Sequence, residues 1–236
     1  MDVVSACALP VGSVVWITWS GAIVLTVVAK STFLLRSVES RLAEKQDPIF
    51  EADRTYYDNP HEALQVATDL VPYKRRADVI VVGHAQAPHG VAVRSFRARL
   101  CTLGIDKTIE IQPDRVFTHT GQIREGLPFA KVPLRWQHAA GGPGTPNPVG
   151  IWRDAPPDPY GQRLAPRFQP PGLRVTSPSD PIPTLGFGPI APHWPDRIAK
   201  LHHHAQTWDP RRWHERPLPR EIDAGFFNVA PPDQQV

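Results

Sequence analysis

The chain has 236 residues, 41% hydrophobic and 21% charged, enough for one large domain or two small ones and too apolar for a disordered chain. Its 28 prolines and 16 glycines exclude an all-helical bundle, because proline lacks a backbone donor and breaks helix interiors. A net charge of +3 falls short of a nucleic-acid footprint, and two cysteines, Cys7 and Cys101, make neither a disulfide framework nor a zinc set. Both thiols read as small apolar packing residues in a reducing compartment.

Residues 3–29 carry no charge. A bilayer needs about 20 apolar residues, so a membrane-anchored chain is one reading of this run. Asp2, with no basic residue beside it, argues against a signal peptide. Pro10, Gly12, Ser13, Ser20 and Gly21 interrupt the run, and its valines, isoleucines and tryptophans favour strands. The preferred reading is a strand pair over about 13–19 and 22–33, turning at Ser20-Gly21.

Further along, 77–82 (Ala-Asp-Val-Ile-Val-Val) reads as a short buried strand. Segments 91–103 and 107–117 form the clearest hairpin. Phe96, Ala98 and Leu100 alternate with Arg97 and Arg99, Ile109 and Ile111 alternate with Glu110 and Gln112, and Gly104-Ile105-Asp106 is the expected turn. Segment 141–180 reads as an irregular, proline-rich stretch, either a binding loop or a linker. Pro195 and Asp196 open a helix whose face is Ile198, Leu201 and Ala205, and which should stop before Asp209-Pro210. The expected fold is mainly β, an antiparallel, sandwich-like core with few helices and long Pro/Gly-rich loops. It forms a single domain over 1–236, strand-rich over 10–117 and loop-rich over 118–236.

Chemical motifs are sparse. His202-His203-His204 cannot converge on one ion from a regular helix, where neighbours point about 100° apart, and no carboxylate stands at a suitable spacing. His61-Glu62-Ala63-Leu64-Gln65 has glutamine where a zincin needs its second histidine. No nucleophile elbow or phosphate loop is present. Asp69, Lys74, Arg75, Arg76 and Asp78 form a mixed charge cluster, either a partner site or, the preferred reading, a structural ion network. Arg97 with Arg99, and Arg211 with Arg212, read as solvated faces rather than phosphate contacts. Neither a cofactor nor a metal site is expected.

Several ordered motifs resemble the DUF2169 family found in type VI secretion loci. Val27-Val28-Ala29-Lys30-Ser31-Thr32-Phe33 looks like its opening strand. Thr68 to Lys74, Ala77 to Ala85 and Ala87-Pro88-His89-Gly90 follow in order. Pro128-Phe129, Pro133 to Trp136, Gly141-Gly142 and Asn147 to Gly150 come next. Gly186 to Trp194, Arg197, Trp208-Asp209, Trp213, Pro217-Leu218-Pro219 and Phe226 to Gln235 complete the series. The chain departs at 135–142, Arg-Trp-Gln-His-Ala-Ala-Gly-Gly, where the family more often has Arg-Tyr-Glu-Arg-Ala-Phe-Gly-Gly. The family domain generally continues past the Pro-Pro-Asp-Gln-Gln motif, so a short or truncated member is expected.

The resemblance implies a cytoplasmic adaptor or chaperone without catalytic residues. Such a protein binds a toxic effector and aids its loading onto the spike, through VgrG or a PAAR-type tip protein. Partner-binding candidates are Asp69, Lys74, Asp78, Asn147, Trp152, Phe187, Trp194, Trp208 and Asp209. One expectation is that 141–152 and 186–194 frame a client groove; the other is that these motifs lock loops onto the core. A competing hydrolase reading requires at least two of His84, His89, His119, His138 and His193 to converge with a carboxylate.

Overall fold

The computed structural model describes residues 3–209, 212 and 214–236. Pro210, Arg211 and Trp213, named above, lie outside the described residues. The chain divides into two compact units, each built from discontinuous segments. The first comprises 1–54, 66–75 and 198–228, and the second 55–65, 76–197 and 229–236.

In the first unit, β1 (Val11–Ile17) and β2 (Ile23–Ala29) form the expected hairpin, paired from Val11↔Ala29 to Ile17↔Ile23. Thr18 N donates to Ala22 O at 2.8 Å, and Gly21 takes φ 87° in the turn, a conformation open to glycine. The strand letters of 3–29 therefore fold as a ribbon, and no helix among the described residues is long and apolar enough to cross a membrane. The second strand ends at Ala29, short of the expected residue 33, where its partner strand runs out at Pro10, whose carbonyl accepts from Lys30 N at 3.0 Å but which has no donor to return; the Lys30 ammonium pairs with Asp69 at 2.8 Å. A small pair, β3 (Phe33–Leu34) and β4 (Arg41–Leu42), follows.

Trp16 carries the hairpin onto its core. Its indole donates to Thr26 Oγ1 at 3.0 Å, and its ring lies 5.5 Å from Tyr73, which lies 5.3 Å from Phe227. Val71, Leu201, Trp208, Leu218, Phe226 and Phe227 make up the buried cluster.

The expected helix is mostly absent. Only α1 (Pro195–Ile198) is α-helical, and Ala199–Gln206 continues in 3₁₀ turns with His202 at φ 52°, ψ −133°. The Lys200 carbonyl accepts from Asp223 N at 2.9 Å, so a tertiary contact takes the acceptor that an α-helix would have used for His204. Leu201 is buried, with Ile198 and Ala205 packed beside it, so the expected apolar face survives without the helix.

β5 (Arg54–Thr55) and β6 (Leu64–Val66) lie where the chain leaves and rejoins the first unit. In the second unit, β7 (His84–Gln86) is followed by the hairpin of β8 (Phe96–Thr102) and β9 (Ile105–Ile111). Its turn is Leu103-Gly104 rather than Gly104-Ile105-Asp106: both residues take positive φ, 50° and 81°, the backbone of a tight two-residue hairpin loop. Strand β8 begins at Phe96, not at residue 91, and β9 stops before Pro113, which has no donor for a ladder. Alternation puts Ile105, Lys107, Ile109 and Ile111 inward and leaves Cys101 outward with Arg97 and Arg99. Cys7 and Cys101 are both exposed, which corrects the expectation that the thiols pack.

Next come β10 (Arg115–Phe117), β11 (Ile123–Glu125), β12 (Lys131–Pro133), β13 (Ala140–Gly141), β14 (Ile151–Trp152), β15 (Arg163–Ala165) and β16 (Phe168–Gln169). The three-stranded sheets are β11-β10-β15 and β16-β9-β8, and β12 pairs with β7; β13 and β14 run parallel, whereas these other pairings are antiparallel. The fold is thus mainly β, in small sheets interrupted by proline. Segment 141–180, read as irregular, contributes β14, β15 and β16.

Segment 77–82 is not a strand. It is extended and hydrogen-bonded, Ala77 N to Val236 O at 2.8 Å and Val79 N to Gln234 O at 3.0 Å, but its partner is an irregular C-terminal stretch that cannot extend a ladder. Around it lies the larger core, with Ile109, Ile111, Val132, Trp136, Phe168 and Trp194 buried. Lys107, on the core face of β9, donates its ammonium to Gly186 O at 2.7 Å, Gln234 Oε1 at 2.8 Å and Asp233 Oδ1 at 2.9 Å.

Candidate functional site

The second unit carries a cleft of about 490 Å³. One wall is the loop joining β13 to β14, and its builder is Asn147, which is fully buried. The Asn147 side-chain Nδ2 donates to Trp136 O at 2.9 Å and Ala140 O at 3.1 Å, and the Asn147 backbone carbonyl accepts from Gly142 N at 2.9 Å and Gly150 N at 3.1 Å. A side chain at Gly141 or Gly150 would collide with Asn147, so both positions need glycine. Gly142, at φ 126°, lies under Trp152, where a Cβ would come within 2.5 Å of the indole. Trp152 lines the cleft and remains 39% exposed.

The opposite wall is Pro178 and the run Asp180–Thr184, with Pro181 and Pro183. The Asp180 carboxylate accepts from Thr176 N at 2.7 Å and Ser177 N at 3.0 Å, backbone bonds that hold its pKa below the usual carboxylate value. Thr184 Oγ1 ties this wall to the first by donating to Ala140 O at 3.1 Å. Phe117, Leu164 and Pro166 also line the cleft. Beyond Trp152 the surface turns polar: a shallower groove of about 400 Å³ is lined by Arg153, Asp154, Arg163, Pro178 and Ser179. The arrangement offers noncovalent chemistry, with an aromatic face, preformed proline surfaces and charged groups at one end.

The candidate residues disperse. Asn147 and Trp152 build the cleft. Phe187 and Trp194 are 2% and 0% exposed, Trp194 packing edge-on to Trp136 at 5.7 Å. Segment 186–194 is therefore core and not the second wall of a groove, since aromatic burial claims it; Pro178 to Thr184 takes that place. The proline cluster of 178–183 was the available signal, but one chain position cannot reveal which loop it faces. Asp69 accepts from Lys30 and from Phe50 N, each at 2.8 Å, and Asp78 accepts from Val229 N at 3.1 Å and Ala230 N at 3.2 Å, so both fasten backbone. Lys74 is exposed, Trp208 is buried against Phe226 and Asp209 is half-buried.

A second cleft of about 450 Å³ holds His138 with Asp114, Glu125 and Arg167. Burial, reinforced by the Arg167 charge, pushes the His138 imidazole down to about 4. The other four histidines of the hydrolase reading line neither cleft. Among the described residues, one set groups ligand types suited to a metal: His203, His204 and Glu221 of the first unit. Glu221 stands 17 residues from His204, outside the local spacing that the sequence offered.

These features define a mainly β protein of small sheets and braced loops, with an apolar cleft and no local catalytic motif in its sequence. The chain belongs to the DUF2169 family, described as an uncharacterized protein conserved in bacteria, whose model matches residues 20–236. No curated protein and no solved structure matches it.

Proposed function

We propose that this protein is a cytoplasmic type VI secretion adaptor that binds a toxic effector and aids its loading onto a VgrG or PAAR-type spike. The cleft between 140–152 and 178–184 is the feature that supports this reading. Its walls are preformed by Asn147, Asp180 and three prolines, so an extended client segment is bound without first ordering the loop. Trp152, a rigid and partly exposed aromatic, is the anchor type favoured at protein interfaces. The polar groove at Arg153, Asp154 and Arg163 continues the cleft and suits a segment with charged flanks.

The test is co-expression with a candidate effector and spike protein, followed by size exclusion. Trp152→Ala and Ile182→Asp should each reduce co-elution at least about tenfold, about 1.4 kcal/mol of binding, while both remain folded. Wild-type co-elution by both folded variants overturns the cleft as the client site.

A further inference from the structure

We infer that His203, His204 and Glu221 form a binding site for one divalent transition-metal ion, of which zinc is the natural occupant. The inference is independent of the adaptor reading. The ligand atoms of the three side chains lie within 4.8 Å of one another, and His204 Nε2 lies 3.2 Å from Glu221 Oε2. Tetrahedral zinc, with bonds of about 2.0–2.2 Å to nitrogen and oxygen, separates its ligands by about 3.3 Å, so this pair already spans one edge. His203 is exposed, and a change of side-chain rotamer brings its imidazole to the same point.

Consecutive histidines do not normally share a target. Here His202 takes φ 52° and ψ −133°, breaking the helical course just before the pair, and the rings of His203 and His204 come to 3.8 Å between centroids. The cations nearest along the chain are directed elsewhere: Lys200 donates to Gly225 O at 3.0 Å, and Arg220 lies over the Trp19 ring at 5.1 Å. Two imidazoles and a carboxylate are a borderline donor set that suits zinc, with water completing the shell. Bound metal would clamp the 3₁₀ segment of His203 and His204 to the chain at Glu221, both within the first unit.

The experiment uses the untagged full chain, stripped with chelator, titrated with Zn²⁺ by calorimetry and with Co²⁺ by visible absorption. One equivalent should bind, with cobalt giving the intense d–d bands of a four-coordinate site. His203→Asn, His204→Asn and Glu221→Ala should each weaken binding at least about tenfold, and His202→Asn should not. Circular dichroism identifies any variant that fails to fold, and the exposed His203 and Glu221 provide readouts independent of His204. Failure of the wild type to bind at millimolar metal overturns the site. So does unchanged affinity in folded His203→Asn and Glu221→Ala, or equal weakening by His202→Asn.

Discussion

Lys107 Nζ donates to Gln234 Oε1 at 2.8 Å, joining the middle of β9 to the C-terminal Pro-Pro-Asp-Gln-Gln motif through a buried bond. Gln234 is fully buried, and its amide donates onward to Val79 O at 2.7 Å and Phe187 O at 3.1 Å. One glutamine thus satisfies three separate segments of the second unit. Burial pushes the Lys107 ammonium below its ordinary value, opposed by the hydrogen bond and charge of Asp233.

Removing one partner of this junction leaves the others unsatisfied. Lys107→Met should destabilise the protein by about 3 kcal/mol, because buried acceptors lose their donor at about 1–3 kcal/mol each. Gln234→Leu should have a similar effect, and the double variant should be at least 1 kcal/mol better than additive, as expected for contacting groups. Urea unfolding of the four proteins measures the coupling; strict additivity would show that the two residues act apart.

His138 makes stability depend on pH. Its folded pKa of about 4 lies below the ordinary 6.5, so the unfolded chain binds more protons between those values. The contribution is complete above pH 6.5 and is lost as pH falls toward 4. Allowing for partial exposure, the loss is about 2 kcal/mol. His138→Gln should flatten the wild-type decline in urea midpoint across this window, and an identical slope in both proteins would contradict the assignment.

Two tryptophans of similar appearance in the sequence should behave oppositely. Trp194→Ala opens a cavity beside Trp136 and should cost about 3–5 kcal/mol. Trp152→Ala trims a partly exposed ring and should cost about 1 kcal/mol. Thermal melts of both variants distinguish a core residue from a cleft residue, and equal losses would refute the division.

The backbone of His202 is one that glycine adopts without strain. His202→Gly should therefore raise stability by about 1 kcal/mol, after subtracting glycine's greater freedom in the unfolded chain. Calorimetric melting of the metal-free protein is the measurement, and a lower midpoint would show that the histidine side chain stabilises the kink.

Much of the strand content was legible because alternation and turn chemistry are local. The hairpin of β8 and β9 was visible in Ile109, Ile111 and their charged neighbours, and the ribbon of β1 and β2 in uncharged β-branched residues around Ser20-Gly21. The misreadings have tertiary causes. Segment 77–82 has strand letters but an irregular partner. The helix after Pro195 loses the Lys200 carbonyl to Asp223 N. The burial of Lys107 has no local signal, because its three acceptors lie far along the chain. Half of the cleft was legible, since 141–152 announces a braced loop; its facing wall was not.

The amino-acid order by itself determined a proline-punctuated, mainly β chain of the DUF2169 family, because periodicity, backbone restriction and motif order are properties of neighbours along the chain. Only the tertiary structure decided which tryptophans are core, which loop faces Trp152 and which carboxylate meets His204. Those outcomes depend on contacts between residues far apart in sequence, where burial and hydrogen-bond satisfaction, rather than local preference, set the position of each side chain.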